Sequence, residues 1–375
     1  MHIAINGRFF SQPITGVQRY ARELVAAMDN EIANWANCTA ELLVPKAAAG
    51  IPVFNNIAVR RVGRLKGHAW EQLELPIHQR GDVLFCPSNT APVASVMNGK
   101  AIVTVHDLSY LYHPEAYSRA FRYFYNLLMP VILSRAEMIT VSTAEFTKIT
   151  HYYPHAAARL SVIPNGGVPS SMTLSSTSPG PESLQPYVLY VGSFTRRKNF
   201  HAVVQTARRL LENHPYMNFV FVGSSPKIFT QGDDMAFEPH PRMIFTGQIN
   251  DFETLAPYYR SAQAILFPSF YESSGLPPVE AMANGCPVIA SNIPALIERC
   301  GDAAVYCDPH DADSIYDATL RVITDPELRA SLVQKGLERS KLFTWETCAQ
   351  TTLQCISRSK ALGAAQTADA MRRFA

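Results

Sequence analysis

The 375-residue chain lacks an apolar run long enough to cross a bilayer. Its longest, Leu127 to Leu133, is interrupted by Pro130 and falls far short of the roughly 20 residues that a span needs. No C-x-x-C spacing of a zinc site occurs among Cys38, Cys86, Cys286, Cys300, Cys307, Cys348 and Cys355. Reduced, mostly buried thiols in a cytoplasmic protein are the expectation. Neither G-x-G-x-x-G nor G-x-x-x-x-G-K-[ST] is present, which argues against a nicotinamide oxidoreductase and a P-loop NTPase. Internal repeats and low-complexity bias are missing too. Little charge of either sign is in excess: 33 basic and 31 acidic residues leave +2. Residues 1–180 carry 15 basic against 11 acidic side chains. That asymmetry fits a first half that meets an anionic surface and is too weak for nucleic-acid binding. The N-terminus Met1-His2-Ile3-Ala4-Ile5-Asn6-Gly7-Arg8 has no long apolar region and reads as a buried strand, not a signal peptide.

The hydrophobic fraction of 47% excludes intrinsic disorder, and the length favours two domains. Short apolar runs alternate with helical patterns. Ile3-Ala4-Ile5 precedes a helix with Val17, Tyr20, Ala21, Leu24, Val25 and Met28 on one face. Leu42–Val44, Val83–Phe85, Ile102–Val105 and Met138–Val141 read as buried strands of a parallel sheet covered on both faces. The Ser/Thr/Pro-rich stretch from Val168 to Pro186 interrupts the series as a linker would. Strands then resume at Val188–Val191, Phe219–Val222, Met243–Phe245, Ala264–Phe267 and Pro287–Ala290, with a helix burying Phe200, Val203, Val204, Ala207, Leu210 and Leu211. The fold class expected is α/β: two doubly wound, parallel-sheet, Rossmann-like domains facing across a cleft. The boundaries expected are 1–170 for the first domain, 171–186 for the linker and 187–354 for the second. A C-terminal helix, about 355–375, is expected to pack back onto the first domain.

Four stretches could carry chemistry. In Phe267–Met282 a strand ends in a loop and a helix begins near Pro277 or Pro278. Glu272 then lies on the loop and Glu280 in the first helical turn. Ser273, Ser274 and Gly275 permit close backbone approach to the free N–H groups of that turn, an anion site. Two carboxylates beside an anion site make sense if they bind sugar or ribose hydroxyls. A helix-dipole role for Glu280 and a solvated Glu272 remain open as the alternative. Gly192-Ser193-Phe194-Thr195-Arg196-Arg197-Lys198-Asn199 places three cations at a strand-to-helix loop, where a phosphate docks; an exposed basic turn is the alternative. Thr15-Gly16-Val17 opens the first helix with a glycine. His106-Asp107 ends a strand and faces the ligand crevice, unless His106 is a satisfied structural histidine. The triplet Asp311-Ala312-Asp313 is better explained by helix capping than by a metal.

Together these residues resemble the retaining glycosyltransferase family 4, of GT-B fold and bacterial surface-polysaccharide type. The match runs from Val188 to about Ala349: VGSFTRRKN (191–199), VFVGSS (220–225), IFTGQI (244–249), FPSFYESSGLPPVEAMANGCPVIAS (267–291), GDAAVYCDP (301–309) and FTWE (343–346). Glu272 and Glu280 have the family's E-x7-E spacing. The first half matches more loosely, through NGRFF and TGVQRYAREL (6–24), His106-Asp107, VST (141–143) and VIPNGG (162–167). The resemblance implies that Arg196, Arg197 and Lys198 neutralise the diphosphate of a nucleotide sugar, with Gly16 lining the same phosphates. It implies that Glu280 holds the ribose, and that Glu272 with Ser274, Gly275 and Leu276 holds the sugar. His106 would lie near the sugar and the acceptor, Gln248 and Ile249 against the base, and Ser193 and Gly223 in the donor site. The catalytic set implied is His106, Glu272, Lys198 and Arg197.

The sequence departs from the family at Ser273-Ser274, where E-G-F-G-L is commoner, and at Ser193, where many relatives place an arginine. The expected reaction moves a hexose, first of all mannose from GDP-mannose, to a saccharide or polyprenyl-diphosphate-linked acceptor in surface polysaccharide biosynthesis. No cofactor and no metal are expected. The alternatives are a nucleotide-sugar epimerase of the same fold or a catalytically silent nucleotide-sugar-binding protein. Tyr110, Tyr112, Tyr117, Phe121, Arg122, Tyr123, Phe124 and Tyr125, with Arg60, Arg61, Arg64 and Lys66, could face an anionic membrane from the cytoplasm. Core aromatics and a solvated loop are the competing account.

Overall fold

The computed structural model describes residues 1–114, 117–168, 181–223 and 240–374. Among these, each apolar run read as a strand becomes a strand of one of two parallel sheets, while the run Leu127 to Leu133 lies in the helix Arg119–Arg135. The first sheet holds β1 (His2–Asn6), β2 (Thr39–Pro45), β3 (Ile57–Val62), β4 (Val83–Cys86), β5 (Ala101–Thr104), β6 (Glu137–Thr140) and β7 (Leu160–Val162), in the order β3-β2-β1-β4-β5-β6-β7. The second holds β8 (Tyr187–Val191), β9 (Asn218–Val222), β10 (Met243–Gly247), β11 (Ala264–Phe267), β12 (Val288–Ser291) and β13 (Ala304–Cys307), in the order β10-β9-β8-β11-β12-β13. Central strands such as VLFC and YVLYV are buried at every residue, because helices cover both faces. The fold is GT-B, two Rossmann-like α/β units. In each sheet the strand order reverses beside the first strand, between β1 and β4 and between β8 and β11. Doubly wound sheets bind ligands at that reversal.

The compact units are Met1–Gly166 with Trp345–Ala375, and Gly167–Thr344. Part of the expected linker, 171–180, lies outside the described residues. The boundaries expected from the sequence, at 170, 187 and 354, differ from these. The chain re-enters the first unit at Trp345 because that side chain, 1% exposed, packs on Gly166 and stands 5.8 Å from the Tyr20 ring. Its neighbour Phe343 stays with the second unit, under the Arg299 guanidinium at 4.0 Å.

Strands β3, β7 and β13 are not among those expected from the sequence. All three lie at a sheet edge and pair with a single neighbour; polar residues are tolerated there and break the apolar run in β3 and β7, whereas β13, AVYC, is an apolar run that the sequence reading passed over. Strand β3 also gives fixed partners to two of the expected surface cations. Arg60 is paired with Glu41 at 2.8 Å, and Arg61 donates to the Ala48 carbonyl at 2.6 Å. The expected aromatic surface is largely core: Tyr110 and Tyr125 are buried, while Tyr112, Tyr117, Phe121 and Phe124 pack against the same cluster. Of that group only Tyr123 is an exposed large side chain. Asp311 caps the helix Ala312–Thr324 by accepting from the Asp313 N–H.

Candidate functional site

The second unit assembles a charged group at its strand-order reversal. After β8 the chain passes Gly192 and Ser193 and forms a single 3-10 turn, Arg196–Lys198. Asn199 then adopts a left-handed conformation, φ 54°, and its amide donates to the Pro309 carbonyl at 2.7 Å. That reversal starts the helix Phe200–Asn213 and leaves Lys198 pointing inward, 9% exposed. Across from it, the loop after β11 delivers Glu272, 6% exposed. The Lys198 Nζ donates to Glu272 Oε1 at 2.5 Å and lies 4.7 Å from the centre of the Phe267 ring. Arg197 Nη1 donates to the Tyr271 carbonyl at 3.0 Å and stands 3.8 Å from Glu272 Oε2. A backbone bond from Phe270 N–H to the Arg197 carbonyl, 3.0 Å, fastens the two loops together.

Burial is the largest influence on both partners. It lowers the pKa of the Lys198 ammonium, against the pull of Glu272. It pushes Glu272 up, but Lys198 and Arg197 together outweigh it and hold the carboxyl below the ordinary range. The group is therefore an ion triad of two cations and one carboxylate with a net positive charge. Arg197, its side chain 33% exposed, is the most open member.

The helix Leu276–Ala283 follows Gly275. With φ at +85°, and with Leu296 Cδ2 only 2.6 Å from where a Cβ would sit, that position excludes any other residue without strain. Glu280 is the fifth residue of this helix. It lies in the second turn, not the first as expected, because the helix begins at Leu276, ahead of the two prolines. The helix-dipole account of Glu280 falls with that position. Its fully buried carboxylate accepts from the Tyr259 hydroxyl at 2.9 Å. Each acid of the E-x7-E pair thus has a dedicated partner.

The remaining expected residues divide. Ser193 and Arg196 are exposed, and the Ser193 carbonyl accepts from the Tyr190 hydroxyl at 2.9 Å. Gly223, φ +150°, follows β9 so close to the neighbouring loop that a Cβ would overlap the Gly192 carbonyl oxygen. The rest of that motif, Ser224 and Ser225, lies outside the described residues. Ser273 and Leu276 are half-buried and Ser274 is buried. Gln248 is exposed and donates to Asn250 at 2.6 Å. Ile249 packs against the hydrophobic core of the unit, so its side chain serves packing as well as any ligand.

His106 and Gly16 belong to the first unit. Gly16 opens the helix Gly16–Ile32 after Thr15, which with Gln18 forms a capping box, and no atom lies within 4 Å of where its Cβ would be. His106 is 5% exposed. Its Nε2 donates to the Pro87 carbonyl at 2.9 Å, and its ring meets Tyr20 edge-on at 4.5 Å. Burial lowers its pKa, opposed by that carbonyl and by Asp107, so the imidazole is neutral at pH 7.

Sequence reasoning missed Tyr259, and it named Asn199 and Phe267 within its candidate stretches without giving them their part in positioning the acids and the lysine. It also missed a buried group at the reversal in the first sheet. Arg8 Nε stands 3.1 Å from Glu71 Oε1, Asn6 Nδ2 2.7 Å from the same oxygen, and Thr90 Oγ1 2.8 Å from Oε2. Glu71 is fully buried, and His68 reaches it from the rim at 3.1 Å. The signal was available, since Asn6-Gly7-Arg8 lies at the end of β1, where ligands of such sheets gather.

Among the described residues no three His, Cys, Asp or Glu side chains gather as a metal site, and no helix is long and apolar enough to cross a membrane. Residues 175–339 match the family model described as Glycosyl transferases group 1. The chain is 30% identical over 275 residues to the O-antigen chain mannosyltransferase B of Escherichia coli, covering 68% of this chain and 69% of that protein. It is 30% identical over 233 residues to the glycogen synthase of Mycobacterium tuberculosis, 60% of this chain and 54% of that protein. The sucrose-phosphate synthase of Thermosynechococcus elongatus shares its fold, with a TM-score of 0.72 at 23% identity over 96% of this chain and 100% of that one.

Proposed function

The chain belongs to the glycosyl transferases group 1 family, and from that we propose a retaining hexosyltransferase that moves mannose from GDP-mannose to a lipid-linked saccharide in polysaccharide biosynthesis. The observation that carries the reading is the buried Lys198–Glu272 pair, with Arg197 beside it, at the carboxyl ends of β8 and β11. Mannose is favoured over other hexoses by the likeness to an O-antigen mannosyltransferase.

In the proposed reaction the bond between the sugar C1 and the donor phosphate oxygen breaks while an acceptor hydroxyl oxygen bonds to C1 on the same face. Negative charge grows on the leaving diphosphate, and the acceptor proton passes to it. Arg197 and Lys198 are pre-set to stabilise that charge in a site of low polarity, where fixed charges act most strongly. They supply it without a metal. Glu272 keeps Lys198 ionised against burial and orients it, and accepts from sugar hydroxyls as a positioning group. Glu280, fixed by Tyr259, accepts from the ribose hydroxyls. The neutral His106 is placed at the acceptor side, and the reaction is assigned to the cytoplasm.

The test is transfer of radiolabelled mannose by the purified protein. Lys198→Ala and Glu280→Ala are each expected to lower turnover by about a hundredfold or more, while EDTA changes it little. Near-normal turnover in Lys198→Ala removes the assignment. Turnover of donor to free product with no acceptor present would point instead to an epimerase.

A further inference from the structure

We propose that the first unit binds a neutral saccharide through His68, Tyr125 and Asp107, with the His68 ring set in one tautomer by the buried Glu71. A wide helical turn places the pair. Between the helices Gly67–Ala69 and Leu75–His78, residues Trp70–Glu74 form a π turn, in which the Leu75 N–H reaches back to the Trp70 carbonyl. Pro76 has no N–H with which to close an α turn onto Gln72, and the helix widens ahead of it. Such turns are rare and gather at functional sites. Here the turn sends Trp70 and Glu71, neighbours in sequence, both fully inward.

Glu71 then fixes His68. Burial pushes its carboxyl up, but Arg8 and His68 outweigh burial and hold it below the ordinary range. An ionised carboxylate only accepts, so the ring nitrogen that faces it, Nδ1 at 3.1 Å from Oε2, carries the proton. The opposite nitrogen, Nε2, bonds to no described group. In the neutral ring it is a hydrogen-bond acceptor, on a side chain 33% exposed. The rings of Phe124, at 4.4 Å, and Tyr125, at 6.4 Å, hold the imidazole from the side.

The same wall carries further open atoms. Tyr117, Phe121 and Tyr125 stack in succession, with ring centres 5.0 and 4.1 Å apart. Tyr125 is 8% exposed, yet its hydroxyl bonds to no described group, which is uncommon for a buried polar atom. At the other end of the stack, the Ser109 hydroxyl donates to Asp107 Oδ1 at 2.6 Å, so the Tyr117 hydroxyl beside it is the donor to Ser109. Oδ1 also accepts the Ser109 N–H at 3.0 Å, and Asp107 Oδ2 has no described partner. Burial pushes the Tyr125 hydroxyl up and Arg8 pulls it down, while Glu71, Asp107 and Tyr117 push it up, so the charges of both ends act on it.

The open atoms decide the ligand. His68 Nε2 and Asp107 Oδ2 accept, and the Tyr125 hydroxyl can do either. Acceptors of this kind repel a phosphate or a carboxylate and suit a molecule that carries several hydroxyl donors. On the transferase reading that molecule is the acceptor saccharide, and only this last assignment rests on that reading. Glu71 is a positioning residue, since it acts through His68.

The test is saturation-transfer NMR on the full chain with the methyl glycosides of mannose, glucose, galactose and N-acetylglucosamine, with inorganic phosphate as competitor. At least one glycoside is expected to bind saturably, and phosphate to leave it in place. His68→Ala, Tyr125→Phe and Asp107→Asn are each expected to weaken that binding about tenfold, as loss of one hydrogen bond does. The melting temperature of Tyr125→Phe should not change, because its hydroxyl holds nothing in the free protein. That variant keeps the test decisive where a Glu71 or His68 variant fails to fold. Nitrogen NMR of histidine-labelled protein reads the part of Glu71: His68 is expected as the Nδ1–H tautomer in wild type and as a mixture in Glu71→Gln. Absence of saturable binding by every glycoside overturns the proposal. So does binding that Tyr125→Phe and His68→Ala leave at full strength, displacement by phosphate, or an Nε2–H tautomer in wild type. Mannose transfer is measured separately. Glycoside binding without transfer removes the transferase reading and leaves the subsite; transfer whose acceptor KM Tyr125→Phe leaves unchanged does the reverse.

Discussion

Removing Lys198 alone leaves the buried Glu272 carboxylate with only the more open Arg197, 3.8 Å from its Oε2, and breaking a buried pair from one side costs about 3–5 kcal/mol. Removing both charges does not. Lys198→Met is therefore expected to destabilise the protein severely, and Lys198→Met with Glu272→Gln to recover most of the loss, read by urea unfolding. The double variant separates fold from chemistry, since it should be stable and still lack transfer. Equal destabilisation in the single and double variants would show that the pair is not coupled. His106 gives a second residue-scale outcome. Its pKa lies below the ordinary 6.5 because it is buried. The unfolded chain therefore takes up a proton that the native state resists as pH falls below about 6.5. Stability contributed by the neutral ring is present above that value and is lost as pH falls towards the depressed native pKa. The melting temperature of wild type should drop between pH 7.5 and 5.5 more than that of His106→Gln. Parallel pH profiles would contradict the assignment.

At the scale of elements, the loops after β8 and β9 meet backbone to backbone. Gly223→Ala places a methyl group into the Gly192 carbonyl oxygen, which cannot swing aside as a side chain could. The variant should lose about 1–3 kcal/mol and shift the Arg196–Lys198 turn, raising the KM for donor; an unchanged melting temperature and KM would refute this. How much of the architecture could be read beforehand follows the same local logic. Central strands such as Val188–Val191 were legible because burial on both faces makes them continuous apolar runs. Strand β3, IAVRRV, was not, because an edge strand can carry Arg60 and Arg61 and still pair. The cations and the two glutamates were legible from residue type and spacing. That Lys198 is taken up by Glu272, and Glu280 by Tyr259, was not, because those contacts join residues 74 and 21 positions apart through folding alone.

At the scale of the whole molecule, two Rossmann-like units carry different kinds of polar group at equivalent places. The second has the net-positive triad of Arg197, Lys198 and Glu272. The first has Glu71 enclosed by Arg8, Asn6 and Thr90, with His106 neutral just beyond β5. A net-positive group suits a diphosphate, and a neutral, hydrogen-bonding environment suits a saccharide. The chain crosses back at Trp345, so the first unit is completed by the segment that follows, and both glutamates, one on a loop and one on the helix Leu276–Ala283, are synthesised before that segment. The most direct test of the central claim is a crystal structure with GDP-mannose bound. The account predicts the diphosphate within hydrogen-bond distance of Arg197 and Lys198 and the ribose hydroxyls on Glu280. A nucleotide bound with its phosphates away from both cations would contradict it.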